Sequence, residues 1–276
     1  MGVAFDFGAV SDVGLVRGNN EDAGYCSRNL LAVADGVAGG PAGEIASSLA
    51  IDALRGLSLA SGSEPDDPRW PLLEQVELAH DRVAGAVETD GSLTGMATTL
   101  TAVLAGRSDR LGGLEGGELG LVHVGDSRLY LFHAGRLFPM TRDHSFPQLL
   151  VEQGRITPAE AEHHPQRSVI VRSLSADRSV QPDVILLLAL LGQRLLLCSD
   201  GLSDYVPFER LSELLPQGAP HECAEALLDE ALRRGSRDNV TVVVADVVRD
   251  DALPPAEQIL GAAAESSSYD GTRRVG

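Results

Sequence analysis

Five aspartates lie where an apolar segment begins or ends, at positions that would withdraw a carboxylate from water. Asp35, Asp200 and Asp126 follow LLAVA, LLLCS and LVHVG, whereas Asp22 and Asp238 precede AGYCS and NVTVVV. Burying a lone carboxylate costs several kcal/mol unless a cation or hydrogen-bond donors compensate it. Hard divalent cations such as Mg²⁺ and Mn²⁺ prefer carboxylate, carbonyl and water oxygens. If these segments are strands whose ends meet, the aspartates form a carboxylate cluster suited to such ions.

Each aspartate taken alone also has a simpler interpretation. Asp-Gly is a common hairpin signal, so Asp35-Gly36 and Asp200-Gly201 could each be turns, and Asp126 could be a turn residue. A hairpin requires a second strand directly after the glycine, and neither VAGGPAGE nor LSDYVPFE provides one. The coincidence of five acids at the ends of apolar segments therefore favours one site over five independent turns.

The composition disfavours several classes of protein. The chain has 276 residues, 43% of them hydrophobic, and a formal net charge of −18, which disfavours nucleic acid or an anionic membrane as a partner. No apolar run approaches the roughly 18 residues that span a bilayer, and the first residues resemble no secretory signal. The three cysteines are far apart in the sequence and match neither a disulfide framework nor a metal site. We therefore expect a cytoplasmic protein and, in the absence of any oligomerisation signal, a monomer.

The elements that would position the aspartates alternate in type along the chain. Apolar and alternating runs predict strands, which come in antiparallel-looking groups, and amphipathic segments predict helices, which come in pairs. This pattern predicts an α+β fold, a β-sandwich of two antiparallel sheets flanked by helix pairs in the order α-β-β-α. Strands are predicted in VSDVGLVRG, DAGYCS, NLLAVADG and ATTLTAVLAG, in ELGLVHV paired with RLYLF, in hairpins at Ala134-Gly135 and between Val184 and Cys198, and in NVTVVVADVV; the main helices are predicted over about 41–59, 70–89 and 219–234.

Three segments fall outside these elements. Residues 105–118 are rich in glycine but lack the Lys-Ser/Thr pair of a P-loop, so we predict a flexible hairpin connection. The polar segment 145–175 is predicted to hold two small helices outside the core. From Asp251 the sequence turns to proline, alanine, serine and charge, which predicts a disordered tail over 251–276.

Seven motifs occur in a specific order between about residues 8 and 248. A single Asp-Gly pair or GDSR would be weak evidence, but together the motifs resemble the metal-dependent Ser/Thr protein phosphatases of type 2C, the PPM family, in their compact bacterial form. The resemblance implies one catalytic domain over 1–250, a β-sandwich with helices on both sides, and a small flap subdomain over about 145–175. The motifs are SDVGLVRGNNEDAGY, LLAVADGVAGGPAGE, GMATTLTAVL, LVHVGDSRLYLF, MTRDHSFPQLLVEQGRITPAEAEHHP, LLLCSDGLSD and GSRDNVTVVVADV.

The resemblance also implies two metal ions, Mn²⁺ or Mg²⁺, at one end of the sandwich. By position in the motifs, Asp35 bridges the two ions and the carbonyl of Gly36 binds one of them. Asp200 and Asp238 correspond to ligands of the other ion. Asp22 corresponds to a residue that supports the site, partly through metal-bound water.

Further positions match residues around these ions in the family. Asp126 matches the acid that, with Asp200, holds a third and weaker ion in bacterial members. Arg17 matches the arginine that binds the substrate phosphate, and Glu21 occupies a position that is a ligand in some relatives. Two more positions resemble residues that orient the ligands, namely Asn239 and Asp204.

The implied activity is hydrolysis of phosphoserine and phosphothreonine on proteins, with Ser/Thr kinases among the substrates. A metal-activated water attacks phosphorus while Arg17 neutralises phosphate charge, so no cysteine receives a nucleophilic role, and Ser199 beside Asp200 is expected to be a hydrogen-bonding neighbour. Two alternatives remain open. A catalytically silent phosphatase-like binding module would lack ligands, and all the principal ones are present. A small-molecule phosphoesterase is disfavoured by an aromatic content of 4%, since stacking on bases needs aromatic side chains.

The histidines and two altered loops complete the sequence-based expectations. His144 matches a family position, but we expect a structural histidine with satisfied hydrogen bonds; His123 is expected in or beside the core, and His163-His164 on the flap. Residues 37–41 replace the Met and two glycines usual in bacterial relatives, and residues 173–175 replace an RALG-like turn. Flap geometry and substrate choice are therefore the properties that the resemblance defines least.

Overall fold

Two antiparallel sheets packed face to face form the centre of the fold, in a computed structural model that describes residues 2–37, 42–57, 65–106, 116–177, 179–252 and 256–267. The strands are β1 (Val3–Asp12), β2 (Asp22–Ser27), β3 (Leu30–Asp35), β4 (Ala97–Thr98), β5 (Leu100–Ala105), β6 (Gly116–Val124), β7 (Arg128–His133), β8 (Arg136–Pro139), β9 (Leu174–Ser175), β10 (Asp183–Leu190), β11 (Arg194–Cys198), β12 (Val240–Arg249) and β13 (Glu257–Gly261). The helices are α1 (Gly43–Leu54), α2 (Arg69–Thr89), α3 (Phe146–Glu152), α4 (Pro158–Glu162), α5 (Asp200–Ser203), α6 (Phe208–Leu214), α7 (Pro220–Arg233) and α8 (Ala262–Ser267).

The strands divide between a first sheet, in the order β1-β12-β11-β7-β8, and a second sheet, in the order β10-β6-β5-β3-β2-β13. Strands β4 and β9 form a separate small pair. Helices α6 and α7 cover the outer face of the first sheet, and α1, α2 and α8 cover that of the second. The layers therefore follow the order α-β-β-α, which confirms the predicted α+β sandwich.

Strand β3 shows why its sequence is continuously apolar instead of alternating. Leu31 and Val33 pack between the two sheets, whereas Leu30, Ala32 and Ala34 pack under the helices of the second sheet. A strand buried on both faces has no position at which a polar side chain would reach water. Asp35, the next residue, lies where this burial ends.

Two predicted strand pairings are wrong. The sequence predicts a hairpin of β10 and β11, but β10 pairs with β6 in the second sheet and β11 pairs with β12 and β7 in the first. Strands β6 and β7 likewise belong to different sheets. In both cases the short connection crosses between layers, and a short turn between apolar strands is compatible with either arrangement. The hairpin at Ala134-Gly135 is confirmed, because β7 pairs with β8.

The predicted ends of the chain also need correction. The first strand spans Val3–Asp12, and the segment VGLVRG, which the apolar pattern assigns to a strand, is a loop. The tail predicted to be disordered over 251–276 contains β13, which pairs with β2, followed by α8. Leu260 and Ala263 of this segment are buried, and the removal of their apolar surface from water stabilises the folded conformation of the segment. The composition alone does not indicate that this segment is folded. Residues 253–255 and 268–276 lie outside the described residues.

Three connecting segments for which the sequence gives an expectation are described in whole or in part. Strands β5 and β6 pair antiparallel. Residues 107–115, which form most of the segment predicted to be a flexible hairpin connection, lie outside the described residues. Segment 145–175, which we call the flap, contains the two small helices α3 and α4. Most of the altered loop, residues 38–41, is also outside the described part. Among the described helices, none is long and apolar enough to cross a membrane.

Candidate metal centre

The five aspartates are carried by element ends that face the same end of the sandwich. Asp22 is the first residue of β2 and lies directly opposite Asp35, the last residue of β3. Asp200 begins α5 directly after β11, and Asp238 precedes β12, the antiparallel neighbour of β11. Asp126 follows β6 in the crossover to the first sheet. The fold thus brings together carboxylates that are more than 200 residues apart in sequence.

Two glycines permit the close backbone packing that joins these ends. A Cβ at residue 201 would lie 1.9 Å from the carbonyl oxygen of Asn239, so only glycine lets the start of α5 reach the start of β12. Gly14 has a φ of 74°, and a Cβ there would lie 2.0 Å from the carbonyl oxygen of Asp238. Gly201 therefore holds Asp200 beside Asp238, and Gly14 holds the loop that carries Arg17 against Asp238.

Burial and mutual repulsion raise the pKa values of four of these carboxylates. Asp22 is fully buried, and its burial raises its pKa to about 6, while the hydroxyl of Ser199 donates to its Oδ2 at 2.7 Å and opposes the shift. Burial raises the pKa of Asp126 to about 7, with a further contribution from Asp143. The pKa values of Asp35 and Asp200 lie well above the ordinary value, first because of desolvation and then because of the neighbouring aspartates.

Two carboxylate oxygens of the cluster lack the partner that a buried acceptor needs. Asp22 Oδ1 and Asp126 Oδ1 are buried and have no hydrogen-bond partner within the described structure. A buried acceptor without a partner carries its full desolvation cost, and a bound hard cation is the partner that a carboxylate set can accept. No three acidic, histidine or cysteine side chains in the described ranges form a group that could hold one ion. Backbone carbonyl and water oxygens would therefore have to complete the coordination, as they do in many Mg²⁺ sites.

Arg17 contacts the cluster through Asp238. Its Nη2 donates to Asp238 Oδ2 at 2.8 Å, and both side chains are about one-third exposed. This hydrogen bond is the main reason why the pKa of Arg17 is raised. The ion pair leaves the guanidinium at the border between the carboxylates and solvent, where a substrate anion could reach it.

Asn239 organises the loop between β1 and β2. Its Oδ1 accepts from the backbone N–H of Glu21 at 2.8 Å, and its Nδ2 donates to the carbonyls of Val13 and Asn19 at 3.0 and 2.9 Å. Its side chain thus acts on the backbone of the loop that carries Arg17, while its own backbone N–H donates to Asp238 Oδ1 at 2.9 Å. Asp204 instead contacts the flap, through Arg167 Nε at 3.3 Å.

Two further residues, one expected from the sequence and one not, support the aspartates through hydrogen bonds. Ser199 is expected to be a hydrogen-bonding neighbour, and it donates to Asp22 and accepts from the backbone N–H of Thr241. Thr99 is not anticipated: its Oγ1 accepts from the backbone N–H of Asp35 at 3.0 Å, and its own N–H donates to the Asp35 carbonyl at 2.8 Å. Nothing in GMATTLTAVL distinguishes this threonine from its neighbours, because its role depends on a contact with a distant strand.

His123 and His144 are structural, as expected. His123 is buried, with Nδ1 at 2.9 Å from Thr101 Oγ1 and Nε2 at 2.9 Å from the carbonyl of Arg142. His144 is also buried, and its Nδ1 accepts from the backbone N–H of Gly125 at 3.1 Å. This contact leaves Nε2 as the protonated nitrogen, 3.3 Å from Asp183 Oδ2. His164 lies on the flap, in an edge contact with Phe146.

The raised pKa values predict an unusual pH dependence of stability in chelated protein. As the pH falls from 8 to 6.5, folded Asp126 takes up protons near its pKa of about 7, whereas an aspartate in the unfolded chain, with an ordinary pKa of 3.8, does not. Asp126 alone should therefore raise the free energy of unfolding by about 1 kcal/mol over this window. Over the same window His123 partly opposes this contribution, because burial lowers its pKa to about 4 whereas a histidine in the unfolded chain, with an ordinary pKa of 6.5, already takes up protons.

Urea unfolding in EDTA at the two pH values measures this effect, and Asp126→Asn is the control that should lose the contribution of Asp126. A change in stability between pH 8 and 6.5 that is the same in the wild type and in Asp126→Asn would contradict the assignment of a raised pKa to Asp126.

Known proteins share this fold and much of this sequence. The chain is 47% identical over 249 residues to the serine/threonine protein phosphatase PstP of Mycobacterium tuberculosis, covering 89% of this chain and 45% of that protein. It is 30% identical over 246 residues to the serine/threonine phosphatase stp of Listeria welshimeri, covering 86% of this chain and 93% of the relative. The chain thus spans less than half of the first relative and nearly all of the second.

A solved structure extends the similarity to three dimensions. The catalytic domain of PstP in complex with two manganese ions matches with a TM-score of 0.78 and 45% identity, covering 89% of this chain and 99% of that one. A scan against models of protein families finds no match. Because a 30% identical relative is covered over nearly its whole length, the chain belongs to the PPM family of serine/threonine protein phosphatases.

Proposed function

We propose that this protein hydrolyses phosphoserine and phosphothreonine on other proteins, with Mn²⁺ or Mg²⁺ bound among the five aspartates. The observation that carries the proposal is the group of carboxylates beside Arg17, four with raised pKa values and two with buried oxygens that have no partner in the described structure. Such a group is costly to fold unless cations compensate it. The similarity to PstP, which was solved with two manganese ions, supports the same class of ion here.

We propose a role in ion binding for each carboxylate. Asp35 and the Gly36 carbonyl, with Asp200 and Asp238, would hold two ions, and Asp22 would support them. Asp126 with Asp200 would hold a third. Bound ions of this class supply a water of lowered pKa and stabilise charge on a phosphoryl group. Ser199 and Thr99 keep Asp22 and Asp35 in place through the hydrogen bonds described above.

Arg17 is proposed to bind the substrate phosphate. Its guanidinium presents a planar set of donors that matches two phosphate oxygens, and the contact with Asp238 holds it next to the carboxylates. Its partial exposure allows a phosphorylated side chain to approach from solvent. Neutralisation of phosphate charge at this point would stabilise the transition state more than the ground state as charge shifts during transfer.

The substrates are proposed to be phosphoproteins, including Ser/Thr kinases, and the protein is proposed to act as a cytoplasmic monomer. The names of the relatives support the phosphoprotein class. Cys26, Cys198 and Cys223 are buried and unpaired, which agrees with a reducing compartment.

The first test is phosphate release from a phosphothreonine peptide, measured with Mn²⁺ and after chelation by EDTA. Arg17→Ala should lower kcat/KM about 10- to 100-fold, the equivalent of one or two lost charge-assisted hydrogen bonds. The kcat/KM of Arg17→Lys should lie between those of the wild type and Arg17→Ala, because lysine keeps the charge but lacks the planar set of donors. Arg136→Ala, an exposed arginine at the β7–β8 hairpin, is the matched control and should have wild-type activity.

The outcomes separate the alternatives. Wild-type activity in Arg17→Ala would remove Arg17 from phosphate binding. A protein that binds Mn²⁺ without hydrolysing any phosphopeptide would indicate the silent binding module. Faster hydrolysis of nucleotides than of phosphopeptides would indicate the small-molecule phosphoesterase.

A further inference from the structure

Large apolar side chains are exposed on the loop that leads to Arg17. Leu15 and Val16 are 61% and 58% exposed, and Val13 is 36% exposed. These three belong to four consecutive residues and directly precede the proposed phosphate-binding arginine. Single exposed apolar residues are common on protein surfaces, but a group of them bordered by polar residues marks a contact surface. We call residues 13–16 the apolar rim.

The backbone of the apolar rim is held in place, so the exposure is a feature of a fixed loop. The N–H of Leu15 donates to the carbonyl of Ser236 at 3.2 Å, and the N–H of Gly14 donates to Asp12 Oδ1 at 2.7 Å. The side chain of Asn239 binds the carbonyl of Val13 at 3.0 Å. These contacts fix the main chain while Leu15 and Val16 remain in water.

We propose that the apolar rim selects phosphopeptides with apolar residues next to the phosphorylated residue, an inference that rests on the proposed function. A phosphate bound by Arg17 places the substrate main chain beside this loop, and an extended peptide advances only about 3.3 Å per residue. The residues flanking the phosphoresidue therefore come within reach of Leu15 and Val16. The net charge of −18 disfavours acidic flanks, and burial of an apolar flank against the rim removes apolar surface on both partners from water.

The test combines two peptides with three proteins in the presence of Mn²⁺. One phosphothreonine peptide has leucine on both sides of the phosphoresidue, and the other has serine at the same positions. The proteins are the wild type, the double variant Leu15→Ser/Val16→Ser, and Leu188→Ser. Leu188 is 58% exposed on β10, several residues beyond the end that carries Asp183, and so provides a matched control.

The wild type and Leu188→Ser should prefer the leucine peptide about tenfold in kcat/KM, at the low end of discrimination by apolar contacts. The double variant should lose this preference, because the side chains on the enzyme that distinguish the peptides are gone. Mn²⁺ titration and thermal unfolding of the double variant show whether its site and fold are intact.

Three results would overturn the inference in distinguishable ways. Equal hydrolysis of both peptides by the wild type would leave the phosphatase assignment standing and remove the preference. A preference that persists in the double variant would assign it to other residues. Failure of the wild type to hydrolyse either peptide would overturn the proposed function together with this inference.

Discussion

Asp35→Asn is expected to lower phosphopeptide hydrolysis by more than about 100-fold while it stabilises the metal-free protein. Loss of residues that only orient metal ligands costs roughly 10- to 100-fold, so loss of the proposed bridging carboxylate should cost more. In the absence of ions, the same carboxylate is desolvated and repelled by Asp22 and Asp200, which is why its pKa is raised. A neutral amide of similar shape removes that repulsion.

Phosphate release from a phosphothreonine peptide with Mn²⁺ and thermal unfolding in EDTA measure the two effects on the same samples. Asp229→Asn, which neutralises an aspartate on α7 away from the cluster, is the matched control and should change neither. The opposite signs are the decisive feature, because a misfolded variant would lose both activity and stability. A metal-free Asp35→Asn protein less stable than the wild type would contradict the electrostatic account of the cluster.

Gly201→Ala is expected to destabilise the protein by about 1 to 3 kcal/mol, the usual cost of overpacking. Its Cβ would lie 1.9 Å from the carbonyl oxygen of Asn239, a backbone atom that cannot rotate away. The displacement would separate Asp200 from Asp238 and loosen the loop bound by Asn239. We therefore expect weaker Mn²⁺ binding in addition to the lower free energy of unfolding.

Urea unfolding with and without Mn²⁺ measures both consequences of Gly201→Ala. Gly85→Ala is the control, because Gly85 lies in α2 and a Cβ there would have no atom of another described element within 4 Å. That replacement should stabilise the protein slightly, by roughly 0.5–1 kcal/mol, since alanine is the better helix former. A Gly201→Ala protein as stable as the wild type would show that the contact between α5 and β12 can relax without cost.

Asp35→Asn is expected to stabilise the metal-free protein and Gly201→Ala to destabilise it. These opposite signs reflect how the site and the fold are related. The sandwich gathers carboxylates whose repulsion opposes folding, and the backbone contacts at Gly14 and Gly201 hold them together nevertheless. Preorganisation of this kind lets a site bind ions without a large rearrangement. The stability that bound ions add should therefore be largest when all the carboxylates are ionised, at neutral and higher pH.

Local sequence was sufficient to identify most of the strands, the main helices and the five aspartates. The apolar run before Asp35 requires a buried strand, and a carboxylate at its end requires compensation. The order of the seven motifs then assigned roles to Arg17 and to each carboxylate. These inferences depend on residue type and on neighbours in sequence, which is information that a single chain contains.

Only the tertiary structure decided which strands pair and which distant groups meet. The turn between β10 and β11 joins two sheets because long-range packing, and not the turn itself, selects the partners β6 and β12. Strand β13 is ordered because β2 provides an edge for it, and Thr99 supports Asp35 because β5 lies beside β3. The contact of Arg17 with Asp238 spans 221 positions in sequence. Such contacts form from the packing of whole layers, so no local pattern can indicate them.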